Sequence, residues 1–75
     1  MLRFSRHAAE RMAQRSISAN EVEEALAASR IETPGRTARE LNLWGETSTG
    51  RRLRITVRSD DRLFVITAVA PDEEA

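Results

Sequence analysis

The chain has 75 residues, with 12 basic residues against 12 acidic ones, one histidine and no cysteine. A chain of this length forms at most one small domain, and without cysteine it has neither disulfides nor thiolate nucleophiles. No apolar run reaches the roughly 18–20 residues of a membrane span, and the N-terminus lacks the apolar core of a secretory signal. We therefore expect a cytoplasmic protein, in which a homodimer or a bound partner would add burial to a small core.

The net charge of zero hides a segregation of charge along the chain. Residues 1–20 and 33–58 are basic, whereas residues 21–32 and 59–75 are acidic. If the two basic segments meet in space, they form a face that attracts a polyanion, and ordinary mixed surface charge is the alternative. Every basic residue is arginine, which suits bidentate binding of phosphate, although a GC-rich genome produces the same bias.

The first predicted element is a helix that begins after Ser5, a suitable N-cap, and runs to about Arg15. It holds the only histidine, His7, at a spacing of four from Arg11, which precedes Arg15 by the same step. Because such a step drifts by only about 40° around a helix, the three side chains should form one ridge. Imidazole moves protons and guanidinium clamps phosphate, which suits a phosphodiester site. Alternatively, His7 is structural and the arginines are ordinary surface residues.

The second predicted helix has a stronger start signal. Ser18 and Glu21 form a capping box, and Ile17 and Val22 occupy the two positions of a hydrophobic staple around it. The helix should therefore bury Val22 against the rest of the domain. The Thr-Pro-Gly sequence at residues 33–35 is expected to close the helical half of the chain.

Beyond this break the apolar period becomes that of strands, which are predicted over residues 38–45, 53–57 and 62–69. The turns between them are short, so neighbouring strands should be antiparallel. The expected fold class is α+β, with two N-terminal helices packed on a three- to four-stranded antiparallel β-sheet. We expect a single domain over residues 1–75, with a short acidic tail at 71–75.

The middle strand has the clearest two-residue period. Leu53, Ile55 and Val57 are predicted to face the helices, which would leave Arg52 and Arg54 on the exposed face. Arginines on an exposed face can follow a phosphate backbone. Such a face also needs polar residues for solubility alone, so this pattern has an ordinary explanation as well.

A ribonuclease needs two proton-transfer groups, and this sequence holds one histidine and no tyrosine. The second group would then be a carboxylate, and Glu10, Glu40 and Glu46 lie in or near the basic segments. Thr67 could donate a hydrogen bond to a phosphate oxygen but does not exchange protons. The acids show no spacing typical of a metal site and the glycines are isolated, so we predict no metal and no other cofactor.

The opening segment resembles a group of small bacterial proteins whose domain is described as being of unknown function. The first helix of that group reads S-x-H-A-x-x-R-M-x-x-R-x-I, and residues 5–17 fill every position of this pattern. Residues 21–26 and the late strands are similar in kind. That group resembles the RelE/BrnT-like toxins, which share a fold with barnase and with the EndoU, colicin and RelE types of endoribonuclease.

This resemblance implies a RelE-like fold and a metal-independent endoribonuclease, in which the ribose 2′-OH attacks the adjacent phosphate and leaves a cyclic phosphate. The partners implied are RNA, including ribosome-associated mRNA, and the cognate antitoxin protein of a toxin-antitoxin system. The predicted site residues are catalytic His7, Arg11 and Arg15, with Arg52, Arg54 and Thr67 binding RNA. The alternative is a non-catalytic domain of the same fold that binds RNA or protein.

Overall fold

The computed structural model describes residues 1–73, which form two helices and five strands. In chain order they are β1 (Arg3–Phe4), α1 (Arg6–Arg15), α2 (Ala19–Ala27), β2 (Ile31–Pro34), β3 (Glu40–Glu46), β4 (Arg52–Arg58) and β5 (Asp61–Val69). A 3-10 turn over Pro71–Glu73 follows. The predicted α+β class is confirmed. Neither helix in the described part of the chain is long and apolar enough to cross a bilayer.

Both helices begin where the sequence predicts. The Oγ atom of Ser5 accepts a hydrogen bond from the backbone N–H of Ala8 at 3.0 Å, which caps α1. At the start of α2, the Ser18 Oγ accepts from the Glu21 N–H at 3.1 Å, and the Glu21 carboxylate accepts from the Ser18 N–H at 2.9 Å. The capping box is therefore confirmed, and such caps typically stabilise a helix by about 1 kcal/mol.

The hydrophobic staple around this cap fixes α2 on the sheet. Ile17 is 5% exposed and Val22 is fully buried. Further along α2, the helix backbone approaches β3 so closely that a Cβ atom at Gly45 would lie 1.9 Å from the carbonyl oxygen of Ala25. Glycine at this position therefore allows the helix to contact the strand backbone directly.

The sheet has the strand order β1-β5-β4-β3-β2, and the β1–β5 pair is parallel while the other pairs are antiparallel. The prediction of three to four antiparallel strands is therefore wrong in its finer detail. β1 is a two-residue strand ahead of α1, and β2 lies where the sequence predicted only a break. A proline can end β2 because an edge strand has no ladder partner on its outer side.

The helices cover one face of the sheet. Leu53, Ile55 and Val57 are at most 1% exposed and belong to one buried cluster with residues of both helices. Arg52 and Arg54 alternate with them on β4 and lie on the opposite face. The predicted register of this strand is therefore confirmed.

β5 carries a bulge that couples the sheet to α1. Successive residues of β4 pair with Val65 and Thr67, so Ile66 is an additional residue in β5. Because of this insertion, Val65 is buried in the core while Thr67 reaches the opposite face. Ser5 binds the bulge twice, since its N–H donates to the Val65 carbonyl at 2.9 Å and its Oγ donates to the Ile66 carbonyl at 2.8 Å.

The chain after β5 folds back onto the domain. Asp72 pairs with Arg52 at 2.8 Å, and Glu73 pairs with Arg51 at 2.7 Å. Asp72 and Glu73 thus pair with arginines at the start of β4 while their own side chains stay exposed, and residues 74–75 of the predicted acidic tail lie outside the described residues.

Candidate functional site

A cavity of about 370 Å³, here called the arginine cavity, lies between α1 and the exposed face of the sheet. Its charged and polar lining residues are His7, Arg11, Arg36, Glu40, Asn42, Arg54, Thr56 and Thr67. These residues come from α1, from the β2–β3 connection and from the central three strands. The two basic segments of the sequence, residues 1–20 and 33–58, therefore both contribute arginines to this cavity.

The fold forms this cavity at the edge of β5. β1 pairs with β5 only at Phe64 and Val65, so the following part of β5 has no strand on its outer side. Ser5 anchors the first turn of α1 at that point through the bulge carbonyls. His7 follows Ser5 by two residues and consequently lines the same cavity as Thr67.

The arginines of this cavity differ from most others in the described chain, because no carboxylate pairs with them. Residues with a carboxylate partner are Arg3, Arg6, Arg51, Arg52, Arg58 and Arg62. Within residues 1–73, Arg11, Arg36 and Arg54 have none, and the Nε atoms of Arg11 and Arg54 are buried without any hydrogen-bond acceptor. A buried donor without an acceptor costs about 1–3 kcal/mol, so the cavity is suited to an anion that supplies acceptors.

Neighbouring side chains hold the sheet side of the cavity in place. The Arg54 guanidinium carbon lies 5.6 Å from the centroid of the Trp44 ring, in a cation–π contact. Thr56 donates to the Oδ1 atom of Asn42 at 2.7 Å, and the Asn42 Nδ2 donates to the Pro34 carbonyl at 3.3 Å. Arg54 is therefore positioned by stacking, which leaves its N–H groups available to a ligand.

Two side chains of the cavity can exchange protons, His7 and Glu40. His7 is exposed, and the Glu40 Oε1 atom accepts a hydrogen bond from the backbone N–H of Arg36 at 3.3 Å. Of the three carboxylates that the sequence left open, only Glu40 lines this cavity. Glu10 lies on the exposed side of α1, and Glu46 lies at the far end of β3.

The six predicted site residues divide into two groups. Those that line the arginine cavity are His7, Arg11, Arg54 and Thr67. Arg15 ends α1 and its carbonyl accepts from the Arg51 Nη2 atom at 2.8 Å, while Arg52 pairs with Asp72 beside a second cavity. A drift of about 80° over eight helical residues separates Arg15 from the direction of His7.

Sequence reasoning did not select Arg36, Asn42 or Thr56. The signal for Asn42 and Thr56 was present, because both alternate with buried residues of their strands and therefore face the same way as Arg54. Arg36 lies in the β2–β3 connection, and without β2 its position could not be inferred.

The family model described as "Domain of unknown function (DUF4258)" matches residues 4–70. The chain belongs to this family. The match includes α1, the β2–β3 connection and all the strand residues of the arginine cavity, and it confirms the predicted resemblance to a small family of unknown function. No curated protein and no solved structure gives a significant match. The relationship to RelE/BrnT-like toxins stays a prediction.

Elsewhere in this DUF4258 domain, Arg51 shows what a fully bonded arginine looks like. Its guanidinium donates to Glu73 at 2.7 and 2.9 Å, to Glu21 at 3.2 Å and to two backbone carbonyls at the end of α1 at 2.8 and 2.9 Å. The Ser18 N–H and then Arg51 lower the pKa of Glu21, and Arg51 lowers the pKa of Glu73. Arg51 therefore has its acceptors within the protein, in contrast to Arg11 and Arg54.

Proposed function

We propose that this chain is a metal-independent endoribonuclease that acts at the arginine cavity and serves as the toxin of a toxin-antitoxin system. The observation that carries this proposal is that three arginines without carboxylate partners surround a cavity that also holds His7 and Glu40. A phosphodiester would supply the acceptors that the buried Nε atoms of Arg11 and Arg54 lack. The expected relationship of this family to RelE/BrnT-like toxins supports RNA as the substrate.

In the proposed reaction, the ribose 2′-oxygen attacks the adjacent phosphorus, and the bond from phosphorus to the next 5′-oxygen breaks. The products are a 2′,3′-cyclic phosphate and a free 5′-hydroxyl, so neither water nor an oxidant is consumed. We assign removal of the 2′-OH proton to the imidazole of His7 and delivery of a proton to the departing 5′-oxygen to the carboxylic acid form of Glu40, so that the step leaves His7 protonated and Glu40 ionised. Arg11, Arg36 and Arg54 would stabilise the negative charge on the phosphorane-like transition state.

The remaining predicted contacts take part in RNA binding. Thr67 lines the cavity and would donate its hydroxyl to a phosphate oxygen. Arg52 lies outside it, and its pair with Asp72 is exposed at both side chains. Because such surface pairs are worth about 1 kcal/mol or less, Arg52 is free to exchange Asp72 for a neighbouring phosphate of the RNA.

Cleavage of a fluorophore-labelled RNA in the presence of EDTA tests the assignment. We expect the parent to cleave, His7→Ala to lose about 10²–10⁴-fold in rate and Arg11→Ala about 10²–10³-fold. Arg62→Ala is the matched control, because Arg62 pairs with Glu32 on the surface away from the cavity. Intact cleavage by His7→Ala would refute the catalytic role of the imidazole.

Arg15→Ala distinguishes two descriptions of the site, the helix ridge predicted from the sequence, which includes Arg15, and the arginine cavity, which does not. If catalysis uses the cavity, this variant should lose far less activity than Arg11→Ala, whereas equal losses would favour the ridge. Glu40→Gln should reduce the rate if Glu40 is the second proton-transfer group. A parent-like rate would assign that transfer to another group.

Induced expression in bacteria tests the toxin role. The parent should arrest growth and degrade RNA, and the His7→Ala variant should do neither. Comparison of free mRNA with translated mRNA then shows whether the ribosome is needed. A parent that binds RNA through the same arginines without cleaving it would instead be a non-catalytic RNA-binding domain.

A further inference from the structure

A second cavity, of about 560 Å³, lies at one end of the sheet, where β3 and β4 meet the end of α2 and the 3-10 turn, and Trp44 is part of its wall. We call it the tryptophan cavity. Its apolar lining residues are Ala28, Ile31, Trp44, Gly45, Leu53 and Pro71. The charged residues around them include Glu46 and Arg30, so the cavity combines an aromatic wall with a polar rim.

The two cavities are neighbours across one pair of side chains, because Trp44 lines the tryptophan cavity and Arg54 lines the arginine cavity. Trp44 and Arg54 are directly opposite each other on β3 and β4, and the guanidinium lies over the ring. Along the same face of β3, Glu40 and Asn42 line the arginine cavity, and Trp44 and Glu46 line the tryptophan cavity. Each step of two residues advances about 7 Å along a strand, so one ligand of nucleotide size can reach both cavities.

Trp44 is held ready for stacking. Its Nε1 atom donates to the Oγ1 atom of Thr33 at 3.1 Å, so the indole donor already has its acceptor. Ile31, the partner of Trp44 on β2, is 59% exposed and extends the apolar surface. An aromatic side chain beside a phosphate site is the arrangement that binds unstacked bases of single-stranded nucleic acid.

Glu46 is the side chain of this cavity that can distinguish one base from another. The other acidic lining residue, Asp72, pairs with Arg52 at 2.8 Å, whereas Glu46 has no cation partner among residues 1–73. An ionised carboxylate only accepts hydrogen bonds, and it accepts two at once from adjacent donors. Among the bases, guanine presents a ring N–H next to an amino group on one edge, so its edge matches a carboxylate best.

We propose that the tryptophan cavity binds the base that precedes the phosphate held in the arginine cavity, and that guanine is preferred there. Trp44 stacks on the base, and Glu46 accepts hydrogen bonds from its ring N–H and amino group. This inference rests on the proposed function for its phosphate site. It adds to that function a substrate class, single-stranded RNA with guanosine on the 5′ side of the bound phosphate.

Trp44 also provides the assay. It is the only tryptophan and the chain has no tyrosine, so the fluorescence of the protein reports on this ring alone. The parent would be titrated with guanosine, adenosine, cytidine and uridine 3′-monophosphates and with inorganic phosphate as the probe without a base. We expect every nucleotide to quench the fluorescence and to bind about tenfold or more tightly than inorganic phosphate, with guanosine 3′-monophosphate binding most tightly.

Two variants separate stacking from edge recognition. Glu46→Gln keeps the shape of an exposed side chain, and we expect it to abolish the guanine preference while leaving the affinity for uridine 3′-monophosphate unchanged. Trp44→Leu, followed by calorimetry, should lower the affinity for all four nucleotides to that for inorganic phosphate. Thermal melts establish that each variant is folded, and Glu46→Gln suffices as a test if Trp44→Leu does not fold.

The possible failures are distinguishable. If inorganic phosphate and the nucleotides bind equally well, the tryptophan cavity is not a base site, although the arginine cavity and the proposed function stand. If the four nucleotides bind equally tightly but more tightly than phosphate, the guanine preference is wrong. If neither phosphate nor nucleotide binds, the arginine cavity is not a phosphate site and both proposals fall.

Discussion

Replacement of Arg51 by methionine would remove the cation that joins three segments of the chain. The Arg51 side chain is 18% exposed, and its guanidinium contacts the end of α1, the start of α2 through Glu21, and the 3-10 turn through Glu73. Methionine keeps an unbranched apolar stem but has no hydrogen-bond donors, so the change isolates the polar contacts. We expect the folded state to lose stability without losing its core.

The size of the loss follows from these contacts. The two hydrogen bonds to backbone carbonyls, at 2.8 and 2.9 Å, contribute about 1 kcal/mol each. The pair with Glu21 contributes less than about 1 kcal/mol, because the Glu21 side chain is 24% exposed. The free energy of unfolding should therefore fall by about 2–3 kcal/mol, which in a domain of this length lowers Tm by about 10–20 °C.

Urea unfolding and thermal melts of the parent, Arg51→Met and Arg52→Met measure this difference. Arg52 is the matched control. It is adjacent to Arg51 and pairs with Asp72, which is adjacent to Glu73, but its side chain is 72% exposed. We expect Arg52→Met to change the free energy of unfolding by about 0.5 kcal/mol or less. Equal losses in the two variants would show that Arg51 does not join these segments as described.

Three further predictions concern stability. Because the pKa values of Glu21 and Glu73 are lowered in the folded state, the unfolded state binds more protons in acid. The free energy of unfolding should therefore be unaffected well above the ordinary glutamate pKa of 4.5 and fall as the pH drops through the lowered values, and a flat profile of urea midpoints would contradict this. Val22→Ala should lower the free energy of unfolding by about 1–3 kcal/mol, since Val22 is fully buried. A thermal melt identical to that of the parent would show that the hydrophobic staple does not stabilise the domain. Gly45→Ala should cost at least about 1–3 kcal/mol, because its Cβ would overlap the Ala25 carbonyl, and a parent-like denaturant midpoint would show that α2 can move away freely.

The parts of the fold that the sequence predicted are those encoded by adjacent residues. Ser18 and Glu21 specify a helix start by themselves, and the alternation of Leu53 with Arg54 specifies two faces of a strand. β1 and β2 are different, because a two-residue strand has no period and a four-residue edge strand that ends in proline shows little of one. Their partners lie far away in the sequence, and pairing alone defines them.

The candidate site shows the same division between local and distant information. Helical spacing related His7 to Arg11, and the structure places both in one cavity. The same spacing also selected Arg15, which does not line the cavity. Helical spacing alone does not tell which part of a helix lies over the edge of the sheet. That crossing depends on the bulge at Ile66, which lies in an apolar stretch where no sequence pattern indicates an extra residue.

One residue, the inserted Ile66, affects the candidate site without being needed for the strand pairing of the fold. Val65 and Thr67 are two positions apart, and a regular strand would place them on the same face. Removal of Ile66 would make them consecutive, so Val65 would stay buried and Thr67 would stay outside, with every pairing of β4 preserved. Ser5 would then lose the Ile66 carbonyl to which its hydroxyl donates. The start of α1, which carries His7, would no longer be held beside the cavity by that hydrogen bond. In evolutionary terms, a relative that lacks this residue can retain the whole architecture and core while the chemistry of the cavity is lost.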